Sequence, residues 1–275
     1  MINKWFSAAI FSVVLGAWPT QGVLAETITD LSFSNPVQAA DHSNLCGLGP
    51  AYSGTTYDFL NVAAGVDMRV TIAAFGNVSF LGSYPNYSSA SGQPSGDLGY
   101  RYQANSLGSG GINYTMSFFE GGGTFTTAKI LPALSLMIYD VDGEPNQDES
   151  VRVFAADGFT TYQLPKAGGM TAQAEGMSSM KFTGPGSNRD EDDPTGAVIL
   201  NYANTSSLTL QMLSDTTGGS TPNPVFSAID GDLSLIGGNT GSFSQAASVP
   251  EPSSFALVVI GLGGAALMRR RRRAG

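Results

Sequence analysis

The chain has 275 residues, 42% of them hydrophobic and 13% charged, with 35 glycines and 14 prolines; so many chain breakers exclude long helical bundles and coiled coils, and so much apolar residue excludes a disordered chain. Lys4 and Arg269 to Arg273 lie at the two ends, and Glu251 near the tail. The remaining seven cations and 21 acidic groups leave the body at −14, which repels phosphate backbones and excludes a nucleic-acid partner.

Residues 1–25 read as a secretory signal. Lys4 supplies the positive start, Trp5 to Leu15 is almost wholly apolar, Pro19 breaks a helix, and Val23-Leu24-Ala25 suits a signal peptidase, with cleavage after Ala25. The apolar run is shorter than the ~20 residues that a membrane span needs.

Residues 26–236 read as one all-β domain, a β-sandwich of jelly-roll type. Val66 to Ile72 and Ile112 to Phe119 alternate with period two, as half-buried strands do. Leu134 to Tyr139 is more continuously apolar and reads as a central strand. Ser150 to Phe154 alternates again before the turn Asp157-Gly158. Further strands are expected at Phe159 to Leu164, Ala197 to Tyr202, Ser207 to Leu213 and Phe226 to Ile236. The breaks between strands carry turn chemistry at Gly121-Gly122-Gly123, Asp142-Gly143, Gly184-Pro185-Gly186 and Gly218-Gly219. Residues 82–99, rich in Gly, Ser and Pro, read as a long surface loop. About 210 residues bury a core without disulfides.

Chemistry is sparse in this body. Cys46 is the sole cysteine, so no intramolecular disulfide forms, and such a residue is most often simply buried. His42 is the sole histidine; any Ser-His-Asp or Cys-His arrangement has to use it, and no nucleophile elbow, zinc motif or P-loop occurs. Asp41, His42 and Cys46 lack a fourth metal ligand. The expectation is therefore a binding or structural protein rather than an enzyme, with a secreted polysaccharide-acting hydrolase as the competing class.

Two clusters suggest ligands. Asp140, Asp142, Glu144, Asp148 and Glu149 alternate in a loop between two strands, and hard oxygen ligands at that density suit calcium; they equally suit a solvated acidic hairpin tip. The EF-hand pattern fails, with Pro145 where glycine is required and Val151 at the terminal Glu position. Tyr84, Tyr87, Tyr100 and Tyr102 flank the 82–99 stretch, where exposed rings would stack on sugars.

Residues 237–248 read as a flexible tether. Val249-Pro250-Glu251-Pro252 follows, its two prolines holding the backbone extended. Phe255 to Met268 is an unbroken apolar and glycine stretch, and Arg269, Arg270, Arg271, Arg272 and Arg273 follow it. Such arginines stay cytoplasmic, so the body faces outward. As a helix the apolar stretch is about 21 Å long, short of the ~30 Å hydrocarbon core. It is marginal as a permanent anchor and sensible as a segment inserted briefly and then removed.

This order of elements in residues 249–275 resembles the PEP-CTERM sorting signal, whose family members are substrates of exosortase, a membrane cysteine transpeptidase of Gram-negative bacteria. Pro250, Glu251 and Pro252 match its tripeptide, Phe255 to Met268 its membrane segment, and Arg269 to Arg273 its basic tail. The resemblance implies export, transient membrane anchoring, processing by exosortase near the tripeptide, and delivery to the outer surface or an exopolysaccharide or biofilm matrix. The same residues also fit a plain single-span anchored surface protein. The resemblance covers about a tenth of the chain and says nothing about the body.

Overall fold

Short apolar runs separated by glycine-bearing turns favour strands that pair across tight connections, and the computed structural model arranges them in two sheets. It describes residues 27–28, 31–34, 36–37, 55–87, 97–105, 107–176, 178–190, 193–218, 224–230, 243–244 and 246–248. The strands are β1 (Thr27–Ile28), β2 (Pro36–Val37), β3 (Thr55–Ala63), β4 (Val66–Gly76), β5 (Val78–Tyr87), β6 (Asp97–Ala104), β7 (Gly108–Glu120) and β8 (Leu131–Tyr139). They continue as β9 (Gln147–Phe154), β10 (Phe159–Gln163), β11 (Thr171–Glu175), β12 (Ser179–Thr183), β13 (Val198–Thr205), β14 (Ser207–Thr216), β15 (Pro224–Asp230) and β16 (Ala247–Ser248).

The first sheet has the order β16-β10-β13-β8-β15-β6-β5, with β1 parallel to β8. The second runs β11-β12-β9-β14-β7-β4-β3-β2. Eight strands pair as a nested set: β6 with β15, β7 with β14, β8 with β13 and β9 with β12, alternating between the first and second sheets. The ladders β15–β8 and β14–β9 complete two four-stranded orders. That wrapping is a jelly roll, as the sequence predicts. The other strands extend it at the edges. Asn77 alone joins β4 to β5 and Ser206 alone joins β13 to β14, each carrying the chain from one sheet to the other.

Period-two alternation builds the core between the sheets. Met68, Val70 and Ile72 of β4, Ile112, Tyr114, Met116 and Phe118 of β7, and Leu208, Leu210 and Met212 of β14 point into it from the second sheet. Leu134, Leu136 and Ile138 of β8 meet them from the first. Strand β8 is buried on both faces, the reason its sequence is continuously apolar. Its other face carries Met137 and Tyr139, which join Ala197, Ile199, Ala228 and Phe243 in a second apolar cluster outside the sandwich.

Each of the eight expected strands is present, although Phe226 to Ile236 is described as strand only to Asp230. Residues 82–99 are not a surface loop throughout: 82–87 belong to β5 and 97–99 to β6, which pair with each other. Glycine, serine and proline obscured two strands whose register shifts twice, at Phe80/Gly82 and Pro85/Tyr87. Ala25, His42, Cys46, Pro250, Glu251, Pro252, the apolar stretch 255–268 and Arg269 to Arg273 lie outside the described residues, as do the side chains of Tyr84 and Tyr87.

Candidate functional site: the outer sheet faces

The outer face of the first sheet carries an apolar patch that the second lacks. On the first, Phe243 is buried among the residues of the second cluster, with Phe226 packed beside it. Ser244 N donates to Leu164 O at 2.8 Å, and Leu164 N donates to Ser244 Oγ at 3.1 Å. Three residues on, β16 pairs antiparallel with β10, Ser248 opposite Thr161. Residues 243–244 and 247–248, assigned to a tether on composition, thus contribute a buried ring and an edge strand. One aromatic anchor in a Gly/Ser-rich stretch gave no periodic signal.

The outer face of the second sheet is polar and open. Cross-strand registry places Asn113 of β7, Gln211 of β14, Arg152 of β9 and Lys181 of β12 in one row. Gln211 Nε2 donates to Asn113 Oδ1 at 2.8 Å, and Arg152 Nη1 donates to Gln211 Oε1. The same guanidinium donates through Nε and Nη2 to both oxygens of Glu175 on β11. This pairing raises the Arg152 pKa and lowers that of Glu175, in each case chiefly through the side-chain hydrogen bond. Lys181 Nζ lies 3.3 Å from Asp215 Oδ2. Neighbouring rows carry hydroxyl pairs, Thr115 with Thr209 at 3.0 Å and Ser117 with Ser207 at 3.2 Å.

One end of this face is aromatic. Arg69 forms a two-pronged ion pair with Asp58, at 2.7 and 2.8 Å. Its guanidinium carbon lies 5.2 Å from the Phe125 ring centroid and 5.9 Å from that of Phe119, within cation–π range. The two rings meet edge to face. Phe125 has φ +50°, a left-handed backbone rare for a bulky side chain. Fully buried Asp67 holds the loop back, accepting from Asn61 N at 2.9 Å and Gly123 N at 2.7 Å.

Two expectations from sequence are corrected. Tyr100 and Tyr102 are fully buried between the sheets, where they cannot stack on a surface sugar. Their hydroxyls donate to Met212 Sδ and Leu213 O, each at 3.0 Å, and burial raises both phenol pKa values well above the ordinary range. The five carboxylates of the 140–149 stretch do not surround one ion: Asp142 and Glu149 are buried, Asp148 is exposed, and Asp140 and Glu144 are half-buried. A tight turn pairs the backbones of Glu144 and Gln147 in both directions. Among the described residues, no three His, Cys, Asp or Glu side chains are grouped to hold a metal. The polar row went unseen in the sequence because its members belong to four strands from residues 113 to 211, and only registry aligns them.

Residues 248–273 match the family model of the PEP-CTERM protein-sorting motif, which marks the chain as an exosortase-sorted, exported protein with a transient membrane anchor. No curated protein matches the chain. Among solved structures, the chain is similar to one described under the promiscuous specificity of carbohydrate-binding modules from the β-sandwich superfamily, at 11% identity and TM-score 0.26. The match covers 67% of this chain and 61% of that one.

Proposed function

We propose that the processed chain is a non-catalytic protein of the outer surface or exopolysaccharide matrix, and that its jelly roll binds a neutral polysaccharide through the outer face of the second sheet. The observation that carries this reading is the row Asn113–Gln211–Arg152 beside two rows of paired hydroxyls. An amide carries two donors and a two-lone-pair acceptor, so the contacts that orient these groups do not exhaust them. Planar amide and guanidinium groups held by neighbours bind sugar hydroxyls without losing much side-chain freedom. The half-buried rings of Phe119 and Phe125 add apolar surface at one end.

Charge supports the choice of a neutral polymer. Three of the body's seven cations lie on this face, each paired with one acid: Arg69 with Asp58, Arg152 with Glu175, and Lys181 with Asp215. No cation on this face is left over to attract an acidic polymer, and the body's −14 repels one as a whole. On the sorting side, β16 ends at Ser248, where the matched motif begins. Processing near Pro250 to Pro252 leaves the docked segment 243–248 with the body.

The test is electrophoresis of the full chain through gels cast with neutral or acidic polysaccharides, with intact mass of the protein recovered from its host. Neutral polymer should retard the wild type, and Asn113→Ala or Gln211→Ala should weaken binding about fivefold each, one hydrogen bond apiece. Retardation unchanged in both variants, or found only with acidic polymer, would discard this face as the site. A chain that still ends at Gly275 would leave a plain anchored surface protein.

A further inference from the structure

Where β9 begins beside the end of β14, the space between the sheets holds a group of polar atoms that the fold leaves unsatisfied. Glu149 is buried, and its Oε2 has no hydrogen-bond partner among the described residues. Ser214 stands directly opposite Glu149 in the β9–β14 ladder, and Thr216 stands two residues further, opposite Gln147. Ser214 and Thr216 are buried as well, and Ser214 Oγ and Thr216 Oγ1 are likewise unpartnered among the described residues. Side chains facing one another across an antiparallel pair have Cβ atoms about 5 Å apart. Diagonal neighbours such as Glu149 and Thr216 are about 7–8 Å apart, still within reach of a long side chain, so three buried oxygens, one from a carboxylate, gather at one corner.

The surroundings are anionic or neutral. Asp142 and Asp140 both act electrostatically on Glu149 from the preceding loop, and backbone N–H groups of Asp142 and Gly143 donate to its carboxyl. Tyr100 and Tyr102 wall the corner and feel the Glu149 charge. Glu149 takes part in none of the ion pairs among the described residues. A carboxylate buried without a cation is costly, and so is each orphaned hydroxyl.

We infer that this corner binds a hard cation through Glu149 Oε2, Ser214 Oγ and Thr216 Oγ1. All three donors are oxygen, the ligand type that Ca²⁺ and Na⁺ prefer and that softer transition metals do not. The ion neutralises the buried carboxylate and joins β9 to β14 inside the sandwich. This set differs from the loop acids: it uses one carboxylate and two hydroxyls from neighbouring strands, with Glu144 and Asp148 outside it. Calcium suits it better than sodium, because Asp140 and Asp142 add negative potential at the same corner.

The experiment takes the full chain in detergent, strips it with EDTA into a buffer free of sodium, and measures calorimetric binding and melting temperature. Titration with CaCl₂ should release or absorb heat at a one-to-one ratio and raise the melting temperature by about 4 °C or more. NaCl in place of CaCl₂ serves as the second arm; a shift with sodium alone assigns the site to the monovalent ion. Glu149→Gln should abolish the response while folding to a melting temperature at least equal to that of the stripped wild type, since it removes the buried charge. Ser214→Ala should weaken the response, and the exposed control Asp148→Asn should leave it intact. No heat and no shift with either ion would overturn the inference. So would a full response in Glu149→Gln, or one lost in Asp148→Asn.

Discussion

The outer face of the first sheet holds an apolar patch that the chain itself closes, whereas the outer face of the second is polar and open. Met137, Tyr139, Ile199 and Ala228 on the first would form an exposed apolar patch without Phe243. Asn113, Gln211, Arg152, Thr115 and Thr209 on the second need no cover, because each has a cross-strand partner and solvent. The difference separates two tasks that a sandwich surface performs. One face adds stability and fixes where the chain leaves the domain; the other presents hydrogen-bonding groups at little cost to folding.

Substitutions should reproduce that division, and the largest effect belongs to the closed face. Phe243→Ala removes a buried ring from the second cluster and should cost about 3 kcal/mol, read as a lower midpoint in urea unfolding. A cost near zero would mean that the segment 243–248 does not hold the first sheet, and the contrast between faces would collapse.

Asp67 comes next, at the one end of the open face that a loop covers. Asp67→Ala leaves the N–H groups of Asn61 and Gly123 without their acceptor and should cost about 2 kcal/mol. Unfolding and proteolysis should show the 121–130 loop opening first. An unchanged midpoint would place the loop's support elsewhere.

The Arg152–Glu175 pair should contribute less, about 0.5 kcal/mol, because both side chains keep more than a quarter of their exposure. Its sign with pH is definite. The folded-state pKa of Glu175 lies below its ordinary 4.5, so the contribution is complete above that value and disappears as pH falls through the lower, folded one. Buried Glu149 acts oppositely: burial raises its pKa well above 4.5, so in cation-free buffer the wild type gains stability as pH falls from neutral toward 4.5. Melting curves from neutral pH to below 4.5 separate the two: Glu149→Gln should remove the slope above 4.5 and Glu175→Gln the one below it, and slopes equal to wild type in both variants would contradict these signs.

Gln211→Ala should have the smallest effect on stability, within about 0.5 kcal/mol, while weakening retention by neutral polysaccharide. A large loss of stability from this variant would make the polar row a structural ladder and remove the reason to assign it a ligand.

Much of this architecture was legible in the sequence, for a local reason. Alternation in Val66 to Ile72 and Ile112 to Phe119 reports which residues face a core, and the doubly buried β8 announced itself by an unbroken apolar run. Strand β5 is obscured because its glycine, serines and proline are the residues of turns, and β6 because its start is read with the same Gly/Ser/Pro-rich stretch. Tyr100 and Tyr102 flank a loop-like stretch in sequence, but the pairing of β6 with β15 turns both toward β14. The 140–149 acids looked like one cluster because they are adjacent in sequence. Burial turns Asp142 and Glu149 away from Asp148, and adjacency does not survive that separation.

Composition, period-two alternation and the ordered C-terminal elements determine that the chain is all-β and carries a sorting signal, because these properties reside in runs of neighbouring residues. Tertiary structure alone decides that Asn113, Gln211 and Arg152 share a row, that Glu149 meets Ser214 inside the sandwich, and that Phe243 closes the first sheet. The first two depend on strand registry between residues 59 to 98 positions apart, and registry is set by the whole core at once.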